Sequence, residues 1–221
     1  MGTLGKLNKI INVAIAYSVL LFASQANAGL ITSAISATGP ASTQGFDIEY
    51  TIDQSGLSAN YISGVTDFNT YIASGVTHTR SNSPQNYYAA VTGLPANIEF
   101  DLGSSLSVLQ FALWNYPFDN SGGIVSFDVI GSNVADFSVS TFLGSFTALD
   151  DGNSTTNSSQ VFDITDSVSQ YIRLTVNTTA YDNLGFSEIA FDVGAIPEPA
   201  TLALMGLGLA GIGFARKKKA A

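Results

Sequence analysis

The sequence predicts an all-β protein: a jelly-roll β-sandwich, preceded by an N-terminal signal helix and followed by a single C-terminal transmembrane helix. Three observations carry this. Short β-rich runs follow one another closely through the body of the chain, separated by glycine or by polar, turn-rich loops such as "DDGNSTTNSSQ" at 150–160. No long amphipathic helical pattern occurs between Gly29 and Ile196. Hydrophobic residues make up 46 % and charged residues only 11 %, so the polar surface must come largely from Ser, Thr, Asn and Gly, as in exported β-proteins.

Residues 1–28 read as a signal peptide. Lys6 and Lys9 form a positive start, "INVAIAYSVLLFAS" is an apolar run of the right length, and Ala26 and Ala28 supply the small-x-small pattern that signal peptidase cuts. A retained membrane anchor is the alternative, for which the run is short. The mature chain is expected to begin at Gly29, with residues 29–49 as a lead-in or first strand. The sandwich is assigned to 50–194. In "ANIEFDL", Ile98 and Phe100 alternate with Glu99 and Asp101, and "LSVLQFALWN" is mostly apolar. The runs "IVSFDVIG", "ADFSVSTF", "LGSFTAL", "QVFDI", "QYIRLTV" and "FSEIAFDV" complete the set. Without cysteine, such a body must be held by its core or with help from a bound ion.

Residues 195–221 are different in kind. Pro197, Glu198 and Pro199 precede an uncharged stretch, 200–215, and then Arg216, Lys217, Lys218 and Lys219. As a helix the stretch would span roughly 24 Å, close to a hydrocarbon core of roughly 30 Å once the lysines snorkel. The basic tail 216–219 would stay cytoplasmic. Proline, a short Gly- and Leu-rich span and a terminal basic cluster, in that order, resemble the PEP-CTERM sorting signal. The resemblance implies processing by an exosortase, a membrane protease-transpeptidase of Gram-negative, exopolysaccharide-producing bacteria. It implies an inner-membrane intermediate, then release to the cell surface, outer envelope or medium. A permanent single-span anchor is the plainer alternative.

The charge is −9 overall, but Gly29 to Ile196 holds only Arg80 and Arg173 against sixteen acidic residues, a net −14. Such a body does not bind nucleic acid, where phosphate attraction supplies most of the affinity. It suits divalent cations or neutral sugars.

"IEFDLGSSLSVLQFALWN", "FDVIGSNVADFS", "LGSFTA", "QVFDITDSVSQYIRLTV" and "LGFSEIAFDV" stand in an order that resembles the discoidin, or coagulation-factor type C, domain, a galactose-binding-like jelly roll. Asp101, Leu102, Gly103, Arg173, Leu174, Ser187, Glu188 and Ile189 fall at matching places. The blood-factor members carry a disulfide, absent here; bacterial carbohydrate-binding members often hold a structural calcium instead. The resemblance implies that Asp67, Asn69 and Thr70 in "GVTDFNTYIAS", with Glu188 opposite, hold Ca2+ by hard oxygen ligands. The alternative is a surface turn with Glu188 paired on its strand. For a sugar, "THTRSNSPQNYY" offers His78, Arg80, Asn82, Tyr87 and Tyr88, and "WNYPFDNSGG" adds Asn115, Tyr116, Phe118 and Asp119. Tyr87 and Tyr88 could equally be strand residues, Trp114 a core residue, and Arg173 the partner of a nearby carboxylate.

Catalysis finds little support. There is no cysteine, one histidine, and no G-x-S-x-G, H-E-x-x-H or phosphate loop. The expected function is a non-catalytic exported surface or matrix protein associated with exopolysaccharide or biofilm. A calcium-dependent lectin with a defined sugar is the alternative, and a polysaccharide hydrolase stands further off.

Overall fold

The computed structural model describes residues 29–82, 85–116, 122–149, 155–181 and 183–194. The expected signal peptide, sorting motif, transmembrane span and basic tail lie outside these residues. Among the described residues no helix is long and apolar enough to cross a membrane.

In chain order the elements are β1 (Leu30–Thr32), β2 (Ser36–Thr38), a 3-10 turn (Ile48–Thr51), α1 (Phe68–Ala73), β3 (Thr77–Thr79), β4 (Tyr88–Val91), β5 (Ala96–Asn115), β6 (Ile124–Ser132), β7 (Ser140–Thr147), β8 (Thr156–Ser158), β9 (Gln160–Thr179) and β10 (Asn183–Val193). The all-β expectation holds. Residues 29–49 supply two strands rather than one.

Two long strands organise the sandwich. The first part of β5, Ala96 to Asp101, pairs with β2 on one side and with Tyr171–Val176 of β9 on the other. Its last part, Val108 to Asn115, pairs with β10, while Gln110–Leu113 also meets Gln160–Asp163 of β9. Each strand therefore serves both layers. One layer carries β1 and β4 on β10, then β10 on the end of β5 and the start of β9. The other runs β2, β5, β9, β6, β7. The sequence reads "ANIEFDL" and "LSVLQFALWN" as separate runs. They are one strand, because Gly103 at φ 80° and the register shifts after Asp101 and Val108 bend the chain without ending its pairing. "QVFDI" and "QYIRLTV" join in β9 in the same way.

Between the layers, phenylalanines dominate. Phe111 stacks on Phe162 at 5.2 Å, and Phe127 meets Phe162 edge-on at 5.2 Å. Ile98 and Phe100 point inward as their alternation predicts, and Glu99 on the other face pairs with Arg173 at 2.6 Å. Arg173 also lies 3.9 Å over the Phe137 ring.

The outer face of the first layer is covered as well. On β10, Ile189, Phe191 and Val193 enter the main core, so Glu188, Ala190 and Asp192 face the other way. Opposite them on β5 stand Trp114, Ala112 and Gln110. A second apolar cluster seals this face: Ile31, Phe68 and Tyr71 pack with Tyr61, Val76, Ala112, Trp114 and Ala190. Trp114 is fully buried, and its indole N–H donates to the Val76 carbonyl at 3.1 Å. The covering layer buries two carboxylates, Glu188 and Asp192, and that positions the sites below.

Candidate functional site

Glu188 is fully buried. Its Oε2 accepts a hydrogen bond from the Gln54 backbone N–H at 3.1 Å, while Oε1 has no partner among the described residues. Burial, then the nearby charge of Asp53, pushes its carboxyl well above the ordinary carboxylate range. The loop that meets it, Asp53 to Leu57, turns through two left-handed residues, Gln54 at φ 65° and Gly56 at φ 94°. A side chain on Gly56 would meet His78 and Asn86 at 2.4–2.7 Å, so only glycine fits. The Gln54 side chain accepts from the Tyr61 N–H at 2.8 Å, closing the loop on itself. A buried carboxylate oxygen without a donor, beside a second carboxylate, is the kind of oxygen chemistry that hard cations take. No group of three or more His, Cys, Asp or Glu side chains gathers for a metal among the described residues, so carbonyls or water would complete the shell.

The structure does not bring together the four residues expected to hold calcium. Asp67 is the N-cap of α1, and its Oδ1 accepts from the Thr70 N–H at 2.7 Å; the Thr70 side chain and then this backbone bond hold its pKa below the usual range. Asn69 and Thr70 are exposed on the same helix turn. Asp67 lies next to Leu30 and acts electrostatically on Asp192, not on Glu188. Asp192 stands four residue steps along the strand from Glu188, about 13 Å. The "DFNTYIAS" segment folds as a capped helix rather than a ligand loop, and the partner of Glu188 is the Asp53–Gln54 turn.

The five residues considered for sugar binding also divide. Tyr88 is a core residue, fully buried, with its hydroxyl donating to the Pro40 carbonyl at 2.7 Å. His78 is fully buried on β3, with Nε2 2.7 Å from the Ser55 carbonyl. Burial lowers its pKa to about 4, against the raising effect of its hydrogen bonds and of Asp53. Arg80, Asn82 and Tyr87 do meet. Tyr87 stacks on Phe46 at 4.6 Å and meets Tyr116 edge-on at 5.3 Å. The Arg80 guanidinium stands 5.8 Å from the Tyr87 ring centre, and the Tyr87 hydroxyl donates to Asn82 Oδ1 at 2.9 Å. The Tyr87 and Tyr116 rings are covered; Asn82 is exposed and Phe46 and Arg80 are half-buried, so these present the polar and apolar edges. Phe118 and Asp119 lie outside the described residues.

His78 gives a pH prediction. Its folded pKa is lowered, so its contribution is complete above about pH 6.5 and is lost as pH falls toward 4. The loss reaches about 3 kcal/mol. Glu188, with a raised pKa, acts in the opposite direction, so the reading is a difference between proteins. In His78→Gln, urea unfolding between pH 6.5 and 4 should lose less stability than in the wild type. Parallel curves would remove the assignment.

Sequence reasoning missed Asp53, Phe46 and Asp192. Asp192 alone had a signal: in "SEIAFD" it shares the Glu188 face by period-two alternation. Of the three N-x-[ST] matches, Asn157 is buried with its side-chain amide donating to the Asn115 carbonyl, Asn177 donates to Asp128 at 2.9 Å, and Asn153 lies outside the described residues.

Residues 195–218 match the model of the PEP-CTERM protein-sorting motif. The chain carries a PEP-CTERM sorting signal. That signal implies exosortase processing and marks an exported, cell-surface-directed protein. Among solved structures, the body is similar to the CBM32-1 and CBM32-2 domains of Clostridium perfringens ZmpB, with a TM-score of 0.51 and 8 % identity over 74 % of this chain and 35 % of that one. It is similar to truncated AlyQ with CBM32 and alginate lyase domains, with a TM-score of 0.50 and 20 % identity over 76 % of this chain and 34 % of that one. A family 32 module of C. perfringens NanJ, solved with galactose, covers 73 % of this chain and 98 % of its own at 14 % identity and a TM-score of 0.49. The described body thus has the discoidin-like β-sandwich fold of the first two of these structures. A comparison with curated proteins found no match.

Proposed function

We propose that this is a non-catalytic carbohydrate-binding protein of the cell surface, associated with exopolysaccharide or biofilm. It passes through an inner-membrane intermediate held by residues 200–215 and is cut by exosortase near Pro197–Pro199. The observation that carries the binding role is the cluster of Arg80, Asn82, Phe46 and Tyr87 at one end of a sandwich that family 32 modules share. A half-buried aromatic ring beside a guanidinium and an amide supplies the apolar face and the hydrogen bonds that a sugar ring needs. The net −14 of the body favours neutral glycans over uronate polymers.

The non-catalytic reading rests on the placement of the carboxylates. Glu188 is sealed from any polymer, and Asp192 stands about 13 Å along the strand, beyond the roughly 5–9.5 Å that separates acid–base pairs in glycosidases. A structural Ca2+ fits the Glu188–Asp53 turn. It would neutralise the buried Glu188 and the exposed Asp53 and fix the loop without taking part in any reaction.

The test is a glycan array together with the exopolysaccharide of the producing bacterium, run with calcium and with chelator. Binding should fall at least tenfold in Arg80→Ala with an unchanged melting temperature. Failure to bind any of these glycans would sink the carbohydrate role. Binding lost in chelator would favour the calcium-dependent lectin with a defined sugar.

A further inference from the structure

The second buried carboxylate, Asp192, has a different neighbour. It is 2 % exposed; Oδ2 accepts from the Gln110 side chain at 2.6 Å, and Oδ1 has no hydrogen-bond partner among the described residues. Burial raises its pKa, and the like charge of Asp67 adds to the rise. A buried carboxylate needs a counter-charge. The two basic residues of the body do not supply one: Arg173 pairs with Glu99, and Arg80 lies against Tyr87.

What lies against Asp192 is Gly29. Its backbone is fixed there, because its carbonyl accepts from the Phe68 N–H at 2.9 Å and the next residue, Leu30, pairs with Val193. A Cβ built on Gly29 would fall 1.7 Å from Asp192 Oδ1 and 2.4 Å from its Cγ, so the carboxylate occupies the space that any other residue's side chain would need. Covalent geometry sets the backbone nitrogen roughly 2.5 Å from that Cβ position, so the Gly29 nitrogen is within about 4.2 Å of Oδ1. This is the residue that the Ala26-x-Ala28 pattern makes the first of the mature chain.

We propose that the α-ammonium group formed at Gly29 by signal peptidase is captured by the Asp192 carboxylate, so that leader removal itself supplies the missing counter-charge of the mature fold. In the precursor this nitrogen is a neutral amide. Hydrolysis of the Ala28–Gly29 bond places the hydroxyl of water on the Ala28 carbonyl and its hydrogen on the Gly29 nitrogen. The amine then takes one more proton from solvent at neutral pH, since its ordinary pKa is about 7.7–8.0. With the Asp192 carboxylate in this position the site has room for glycine, and the charge is balanced only when that glycine starts the chain.

The experiment uses the mature exported chain, first checked by intact mass for a start at Gly29. Its stability to urea is compared with that of the same chain acetylated at the N-terminus, in the wild type and in Asp192→Asn. Acetylation should reduce the folding equilibrium constant at least tenfold in the wild type and less than about threefold in Asp192→Asn. An equal effect in both proteins, or a mature start at another residue, overturns the proposal. If Asp192→Asn does not fold, the amine of the wild type decides alone. With Asp192 facing it from β10, Asp67 from the head of α1 and neutral Gln110 from β5, its pKa should lie above about 8.0 by NMR titration. A value at or below the ordinary range overturns the proposal.

Discussion

Calcium should raise the melting temperature of the protein, and Glu188→Gln should abolish that rise while making the metal-free protein more stable. The two halves come from one geometry. Glu188 lies inside a sealed layer with the like charge of the exposed Asp53 nearby; its Oε2 accepts from the Gln54 N–H, and its Oε1 has no partner among the described residues. Because the folded-state pKa is raised, the fold prefers the protonated carboxyl. Metal-free stability therefore falls as pH rises from the ordinary value of about 4.5 toward the shifted one. Glutamine keeps the shape, removes the charge and should gain roughly 1–3 kcal/mol in chelator. A cation bound only to the native state acts in the other direction, by about 2.7 kcal/mol at a concentration one hundred times its Kd. For a domain of this size that is roughly 5–10 °C. Calorimetry with calcium and with EDTA reads both effects. A wild-type melting temperature that ignores both additions, with Glu188→Gln no more stable, would leave the cation site without support. Asp67→Ala, which removes the cap of α1, should leave the calcium response intact and lower stability by about 1 kcal/mol.

Trp114→Ala should cost about 3–5 kcal/mol, the largest loss from any single truncation on the covered face. The side chain is fully buried between β5, the Val76 backbone and the α1 layer, and it stands directly across from Glu188. Its removal opens a cavity, leaves the Val76 carbonyl without a donor and loosens the packing that keeps water from Glu188. Trp114→Phe should lose less, with the hydrogen bond as the main deficit. Urea unfolding measures both, and in the wild type the indole itself reports the transition, being the only tryptophan in the chain. A loss under 1 kcal/mol for the alanine variant would mean that the second cluster packs far more loosely than the structure describes.

Local pattern carried the sandwich further than it carried the sites. Alternation in "NIEFD" alone places Ile98 and Phe100 in the core and frees Glu99 to find Arg173, because the period of a strand is written in adjacent residues. The sorting tail was legible for the same reason: it is a linear signal of about two dozen residues. Glu188 was legible as an unusual acid in an apolar strand, but its companions were not. Asp53 and Gln54 lie more than 130 residues away and reach it only through the pairing of β10 with β5 and the loop folded over them. The misread at Asp67 has a local cause. An Asp three residues before Thr in "DFNT" is as much a helix N-cap as a ligand loop, and a six-residue helix is too short to show a period. The division of "THTRSNSPQNYY" among the core, the Ser55 loop and the Phe46 stack had no signal in its own composition, since all three neighbours come from elsewhere in the chain.

The pairing of β10 has a mechanical meaning for any load applied at the C-terminal end of the described fold. Gly194, where the described fold stops, continues directly from β10 and donates to the Ser107 carbonyl at 2.8 Å. β10 is gripped along both edges, by β5 from Phe186 to Val193 and by β4 and β1 on the other side. When the tail is joined to a surface, load runs along this strand, and the rows of hydrogen bonds on both sides must fail together in shear. Pulling on an edge strand such as β7 would instead peel one bond at a time. The described fold thus meets a pull from its C-terminal end with the strand that is hydrogen-bonded along both edges.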